Sequence, residues 1–366
     1  MNVLHLLVSG GTGGIEILMK DYAQNSTHKN TFVFVWKSGE IAELMKENGA
    51  SVHITNAGAE GMLTTLKKIR HICMTEKIDV VVSHNAAPLL KLALIYMKLT
   101  VPGIRVVAYA HANARDICEH GRKKGLFLRK LVHRMGFAAA DRIVAISDSV
   151  GRSLRDYLHV NGRKIRRIYN GTQLRTADPE SIARNNTDPL KLIYVGRLIR
   201  EKGVQNTLKA LAALEGKVPF TFTVAGDGPF RGELEALVKQ LELEDRVRFL
   251  GNRRDVPELL ADADVFIHLP EWEEGFGITV IEALAAGLPC VVNDRGALPE
   301  IVEDRKSGYI VSAKTPENVP AVLEEIRNKS GESLVTMGNA ARERAKQFSM
   351  EMFVTELDGC LAEVCR

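Results

Sequence analysis

Short apolar runs and helical patterns alternate along this chain in two successive series. The first places runs at residues 3–8, 31–36, 51–54, 80–83, 106–110 and 143–146; the second places them at 190–195, 220–225, 247–250, 265–269, 290–292 and 309–311. Strands separated by helix-length stretches need crossover connections, which build a mainly parallel sheet with helices on both faces. Two such series predict two similar α/β domains in tandem, a division that 366 residues accommodate. The expected domains are 1–172 and 190–348, with a polar, two-proline linker at 173–189 and a final helix at 349–366.

Ligands of such sheets bind beyond the carboxyl ends of the strands. In the second half four loops occupy that position. Gly196–Gly203 (GRLIREKG) carries Arg197 and Lys202, a forked cation and a point charge of the kind a diphosphate needs. Gly226-Asp-Gly228-Pro follows the next strand, and Gly251 with Asn252 and Arg253 follows the third. The fourth runs through Glu274-Gly275-Phe276-Gly277-Ile278 to Glu282. Its two carboxylates are separated by seven residues, on the order of 10 Å for a loop leading into a helix, about the span from ribose to sugar in a nucleotide diphosphate sugar. The bare backbone between them enters a helix N-terminus, which favours a phosphate. The plain alternative is a solvated acid in an ordinary βαβ loop.

In the first half the run at 3–8 ends in Ser9-Gly10-Gly11-Thr12-Gly13-Gly14, followed by a helical pattern that includes Glu16. The spacing fits neither G-x-G-x-x-G nor a P-loop, so this loop is a weak signal and a tight strand-to-helix turn explains it equally well. Polar residues at the later strand ends, His84 and Asn85, His111 and Asn113, Ser147 and Asp148, make a ligand-binding edge the better reading. Residues 120–137 alternate basic and apolar positions with a helical period. That pattern suits a helix on an anionic bilayer, but packing of the apolar stripe into the domain is the favoured expectation.

Charge matters once it is divided. Residues 1–175 hold 26 lysines and arginines against 13 acids, and the remainder holds 23 against 32. A basic first half suggests an anionic partner. Nucleic acid is disfavoured, because aromatics are only 6% and no reading motif is present. Five scattered cysteines without a C-x-x-C pair argue for a reducing compartment and against a zinc site. No stretch is apolar enough for a membrane span, and the N-terminus reads as a buried strand rather than a signal peptide.

Taken together, GRLIREKG, GDGP, EGFGITVIEALAAGLP with its E-x7-E spacing and GALPEI resemble the family 4 retaining glycosyltransferases of the GT-B fold. The first half agrees through Gly13-Gly14-x-Glu16, His111, Ser147 in AISDS and Asn170-Gly171. The resemblance covers nearly the whole chain. It implies two Rossmann-like domains facing each other across a cleft, the first binding acceptor and the second donor, with the last helix packing back on the first. It assigns Arg197 and Lys202 to the diphosphate, Glu282 to the ribose, and Glu274 with the backbone of 275–278 to the donor sugar. His111 would face the sugar; Gly11, Gly13, Gly14, Glu16, His84, Asn113 and Ser147 would line the acceptor or phosphate side; and Gly196, Gly226, Gly228, Gly251 and Arg253 would border the donor. Asp294-Arg295-Gly296-Ala297 departs from the family's more usual double glycine.

The implied reaction is retaining transfer of a sugar from a nucleotide diphosphate, UDP before GDP or ADP, to a glycolipid or growing glycan of the cell surface. It needs no cofactor and no metal. The expected place is cytoplasmic, at most peripheral on the inner face of the cell membrane. A small-molecule glycosyltransferase or sugar-nucleotide epimerase on the same fold, and a non-catalytic nucleotide-sugar-binding partner subunit, are the alternatives.

Overall fold

The computed structural model describes residues 1–84, 87–119, 125–174, 189–214 and 216–366. The chain forms two compact units, one of Met1–Gly171 with Met350–Arg366 and one of Thr172–Ser349. Most of the expected linker, residues 175–188, and Asn85 lie outside the described residues.

The first unit's strands are β1 (Asn2–Ser9), β2 (Lys29–Lys37), β3 (Ser51–Ile54), β4 (Val80–Ser83), β5 (Arg105–Ala110), β6 (Arg142–Ala145) and β7 (Ile165–Arg167), in the order β3-β2-β1-β4-β5-β6-β7. The second unit has β8 (Leu190–Val195), β9 (Phe220–Ala225), β10 (Val247–Gly251), β11 (Val265–His268), β12 (Cys290–Asn293) and β13 (Gly308–Val311), in the order β10-β9-β8-β11-β12-β13. All of these pairings are parallel. Near-continuous apolar runs such as Val3-Leu4 and Leu6-Leu7 suit β1, which is covered on both faces. In each sheet the order reverses once, between β1 and β4 and between β8 and β11, and that reversal is where a doubly wound sheet opens a crevice. The three-residue β7, Ile-Arg-Arg, has no apolar signature and is missing from the sequence reading. As an edge strand it needs none.

The helix Met350–Cys365 belongs to the first unit, where it packs on the helix Gly14–Asn25. Phe353 meets Tyr22 edge-on at 5.8 Å. Asp358 accepts hydrogen bonds from Tyr22 Oη (2.6 Å), Ser26 Oγ, Thr27 N and Thr27 Oγ1 (2.9 Å each). Burial pushes its carboxyl up, but these donors outweigh it and hold the group below the usual carboxylate range.

The basic amphipathic segment corrects an expectation. Residues 120–124 lie outside the described set, and the rest forms the helix Leu126–Ala139. Its apolar stripe is not packed inward. Phe127 is 81% exposed, Leu128 62%, Met135 49% and Leu131 41%. The inner face is instead His133, Gly136 and Phe137, lying on the helix Pro88–Thr100. A Cβ on Gly136 would come within 2.5 Å of Lys91 Cβ, so the bare Cα allows a closer approach than the apolar residues would. Lys91 is buried there, bonded to Ser83 Oγ at 3.1 Å, and burial pulls its ammonium down to about 7.

Asp358→Ala should lower the stability of the first unit by about 2–3 kcal/mol, because several donors lose one charged acceptor; Tyr22→Phe should cost about 1 kcal/mol. Because the folded carboxyl titrates below its unfolded value, the stabilisation is full at neutral pH and lost as pH falls through the acid range. Urea titrations of both variants at neutral and acid pH measure this.

Candidate functional site

At the reversal point of the second sheet two loops lie side by side. One follows β8 and contains the 3-10 turn Arg200–Lys202; the other follows β11 and leads into the helix Ile278–Ala285. Gly203 joins them. Its φ is +74°, and a Cβ there would stand 1.9 Å from Leu269 O, so only glycine permits this approach. The approach brings Lys202 Nζ to 2.7 Å from Glu274 Oε2. His268 Nε2, at the end of β11, lies 3.1 Å from the same oxygen, and Trp272 Nε1 donates to it at 3.4 Å. Glu274 is only 7% exposed. Its other oxygen, Oε1, has no partner among the described residues, and neither does the exposed guanidinium of Arg197.

Burial alone would raise the pKa of Glu274. The hydrogen bond from His268 and the charge of Lys202 outweigh it, and the carboxyl is held far below the usual range. Burial also pulls His268 down, against the opposing pull of Glu274, so the imidazole is neutral. A neutral ring that donates through Nε2 leaves Nδ1 bare, and His268 Nδ1 is buried with no partner among the described residues. The reading of Glu274 as a solvated surface acid is therefore excluded. Its depressed basicity also makes it a poor proton acceptor at neutral pH, so what it can do is remain charged and accept hydrogen bonds.

A third loop holds Glu274 in place. Ala297 N donates to Glu274 O at 2.8 Å, Gly296 N donates to Glu273 Oε2 at 2.8 Å, and a Cβ on Gly296 would lie 2.1 Å from Glu274 O. The Asp294–Ala297 segment, which departs from the usual double glycine, thus keeps a glycine where the backbone contact demands one. Gly226 and Gly228 press against Gly196 O and Leu198 O at 1.9 and 2.2 Å from ideal Cβ positions. Their bare backbones allow this close contact between loops. Beside them Gly196, Arg197, Gly226 and Arg253 line a groove of about 250 Å³, with Gly251 at the end of the adjacent β10. Arg253 is tied to Asp255 through Nε at 2.7 Å and through Nη2. Gly275 is half-buried, and Phe276 is buried with its ring 5.9 Å from Phe348, so its side chain belongs to the core. Gly277 (φ +92°) starts the helix at Ile278 without a side-chain cap, leaving first-turn amides for an anion, and Glu282 is half-buried one turn on.

In the first unit the helix Gly14–Asn25 likewise begins after Gly13 with no side-chain cap. Glu16 is buried, which raises its pKa, and its Oε2 would lie 2.4 Å from a Cβ on Gly13. Gly11 and Gly14 have open space around them. Three of the predicted polar residues are turned inward. Ser147 is fully buried and caps the helix Asp148–Leu158 by accepting from Val150 N at 3.1 Å. Asn113 is buried at the start of the helix Ala114–Glu119. His84 is buried with both ring nitrogens bonded to histidines, His5 at 3.0 Å and His111 at 3.1 Å, so it supports His111 rather than offering a free face. Among the described residues no group of three His, Cys, Asp or Glu converges as a metal cage.

The sequence reading missed His268, Trp272 and His5. A polar residue closing or interrupting an apolar strand was the available signal, since a buried polar group needs a partner. Glu274 and His268 both titrate lower when folded, so each contributes stability that is full at neutral pH; that of His268 is lost as pH falls below about 6.5, and that of Glu274 as pH falls below about 4.5. Glu274→Gln should make the melting temperature of the second unit less dependent on pH below about 4.5, as thermal scans of both proteins would show.

Comparison with known proteins agrees with this geometry. The model of "Glycosyltransferase Family 4" matches residues 12–175 and that of "Glycosyl transferases group 1" matches residues 177–344. The N-acetyl-alpha-D-glucosaminyl L-malate synthase of Bacillus anthracis is 28% identical over 312 residues, 83% of this chain and 80% of that one. A putative colanic acid biosynthesis glycosyltransferase, WcaL of Salmonella typhimurium, is 31% identical over 186 residues, 48% of this chain and 46% of its own. The fold matches the crystal structure of Anabaena HepE in complex with UDP at a TM-score of 0.82, with 22% identity, covering 99% of this chain and 100% of that one. The chain belongs to the group 1, family 4 glycosyltransferases and is a glycosyltransferase built from two parallel-sheet Rossmann-like units of the GT-B fold.

Proposed function

We propose that this enzyme transfers a sugar, with retention, from a UDP-sugar to an anionic acceptor, a lipid-linked or growing glycan presented at a membrane surface. The observation that carries the donor half is the one-sided bonding of Glu274. Three donors fix Oε2 and leave Oε1 to accept from sugar hydroxyls, and Arg197, in the loop after β8, has no side-chain partner among the described residues. Arg197 and Lys202 hold the diphosphate and stabilise the charge that develops on the departing nucleotide. The uncapped helix at Ile278 takes a phosphate oxygen, and Glu282 takes the ribose hydroxyls. Glu274 is too weak a base to serve as the acid/base carboxylate of a glycosidase. The departing phosphate is the base left to deprotonate the acceptor on the same sugar face, hence retention. UDP is favoured over other nucleotides because the structure of HepE, which shares this fold, holds it.

The acceptor half rests on the outward stripe Phe127, Leu128, Leu131 and Met135, with Arg134 among them, in a first half rich in cations. Exposed apolar residues beside cations suit an anionic bilayer. No helix of the described residues is long and apolar enough to cross a membrane. A second reading, a small anionic acceptor in solution, is favoured by the malate named for the Bacillus anthracis relative.

UDP should raise the melting temperature in proportion to the logarithm of its concentration above Kd. Lys202→Ala should cost about 100-fold or more in turnover, measured as UDP release from a panel of UDP-sugars; unchanged turnover would remove Lys202 from the leaving-group role. Phosphatidylglycerol vesicles should sediment the protein at low salt and release it at high salt. Phe127→Ser with Leu128→Ser should abolish that binding. No sedimentation at low salt would leave the soluble acceptor as the better reading.

A further inference from the structure

A line of polar side chains, buried at its centre and half-buried at its two ends, crosses the first sheet. Asn30 lies on β2, His5 on β1, His84 just past β4 and His111 just past β5, four neighbouring strands in order. Asn30 pairs with Val3 and His5 lies two residues beyond; His5 pairs with Val82 and His84 lies two beyond that. Each step moves one strand across and two residues up, which keeps the side chains on one face. The contacts are Asn30 Oδ1 to His5 Nε2 at 3.0 Å, His5 Nδ1 to His84 Nε2 at 3.0 Å and His84 Nδ1 to His111 Nε2 at 3.1 Å.

The proton positions along this line follow from its first member. Asn30 Nδ2 donates to the carbonyl of His28 at 3.1 Å, so it is Oδ1 that faces His5 and must accept. Burial holds His5 down to about 4 and, with the charge of Lys91, His111 down to about 3; burial and the neighbouring imidazoles keep His84 low as well. Each ring is therefore neutral near pH 7, with one N–H. His5 must spend its proton from Nε2 on Asn30, which makes its Nδ1 an acceptor. His84 must then donate from Nε2, and so must His111. The last nitrogen, His111 Nδ1, is left as a bare lone pair, buried and without a partner among the described residues.

We propose that His5 and His84 are positioning residues that lock His111 in the Nε2–H tautomer, so that its Nδ1 at the carboxyl edge of the first sheet accepts a hydrogen bond from a substrate hydroxyl. The inference rests on the reading of that edge as a substrate site. It adds a polarity to it: a hydroxyl is accepted, and a group that can only accept, such as a carboxylate or a phosphate oxygen, is refused. The bare lone pair on His111 is set by an asparagine three strands away.

Histidine-labelled protein at pH 7 tests the lock directly. Proton–nitrogen correlation spectra should show Nδ1 unprotonated in His5, His84 and His111. A proton on His111 Nδ1, or exchange between its tautomers, overturns the inference. His5→Phe keeps the ring shape against Phe32, which stacks on it at 5.0 Å, but removes the acceptor for His84. His84 should then turn its proton towards His111, and His111 should become an Nδ1 donor. Turnover, read as UDP release from whichever of UDP-glucose and UDP-N-acetylglucosamine raises the melting temperature, should fall about tenfold or more. His5→Gln can still donate to Asn30 and accept from His84, and should restore most of that loss, which a merely structural role would not predict. Full turnover in His5→Phe alongside its loss in His111→Ala overturns the lock alone. No turnover of any UDP-sugar by the wild type instead overturns the transferase reading, and the spectra still decide the tautomer.

Discussion

Taking an ionised carboxylate out of water costs several kcal/mol unless donors replace its lost hydration. Glu274 meets that condition with an ammonium, an imidazole and an indole on a single oxygen. Those three groups come from the loop after β8, the end of β11 and the turn beyond it. All must arrive together, since a missing partner would leave a buried charge without compensation. The glycines at 203 and 296 are the geometric side of the same constraint, because the loops can deliver their side chains only if their backbones touch. What results is a negative charge held in place by protein donors before any ligand is present.

Much of this was legible in the residues. The alternation of apolar runs gave every strand of both sheets except β7, and the loops after the strands of the second sheet held Arg197, Lys202, the glycines and Glu274. What escaped was set by contacts between distant segments. Nothing in His-Leu-Pro-Glu-Trp-Glu-Glu says that the histidine and tryptophan turn onto the third of the three acids, because that depends on Gly203 docking against Leu269. The contact of the glycines at 226 and 228 with the backbone of a neighbouring loop is likewise not visible in the sequence. The polar residues at strand ends do gather at the carboxyl edge of the first sheet. Whether each one faces outward, as against Ser147 and His84, was decided by helix capping and by the line of histidines.

The helix Leu126–Ala139 shows how periodicity can identify an amphipathic element and still misplace its faces. The usual rule buries the more apolar side. Here closeness of approach decides instead: Gly136 lets this helix settle onto Lys91, and the large apolar residues are rotated outward. A lysine drawn down to about 7 by burial thus lies under a helix whose apolar stripe is exposed.

The position of the helix Met350–Cys365 has a consequence for the order of assembly during synthesis. Every residue of the second unit leaves the ribosome before that helix does, yet the helix completes the first unit. Until translation reaches it, Tyr22 lacks the ring of Phe353, and the donors around Ser26 and Thr27 lack Asp358. The first unit therefore waits with an uncovered flank while the second is free to fold as a continuous segment. The two Rossmann-like units are successive in the gene, but the one encoded first is the last to be finished.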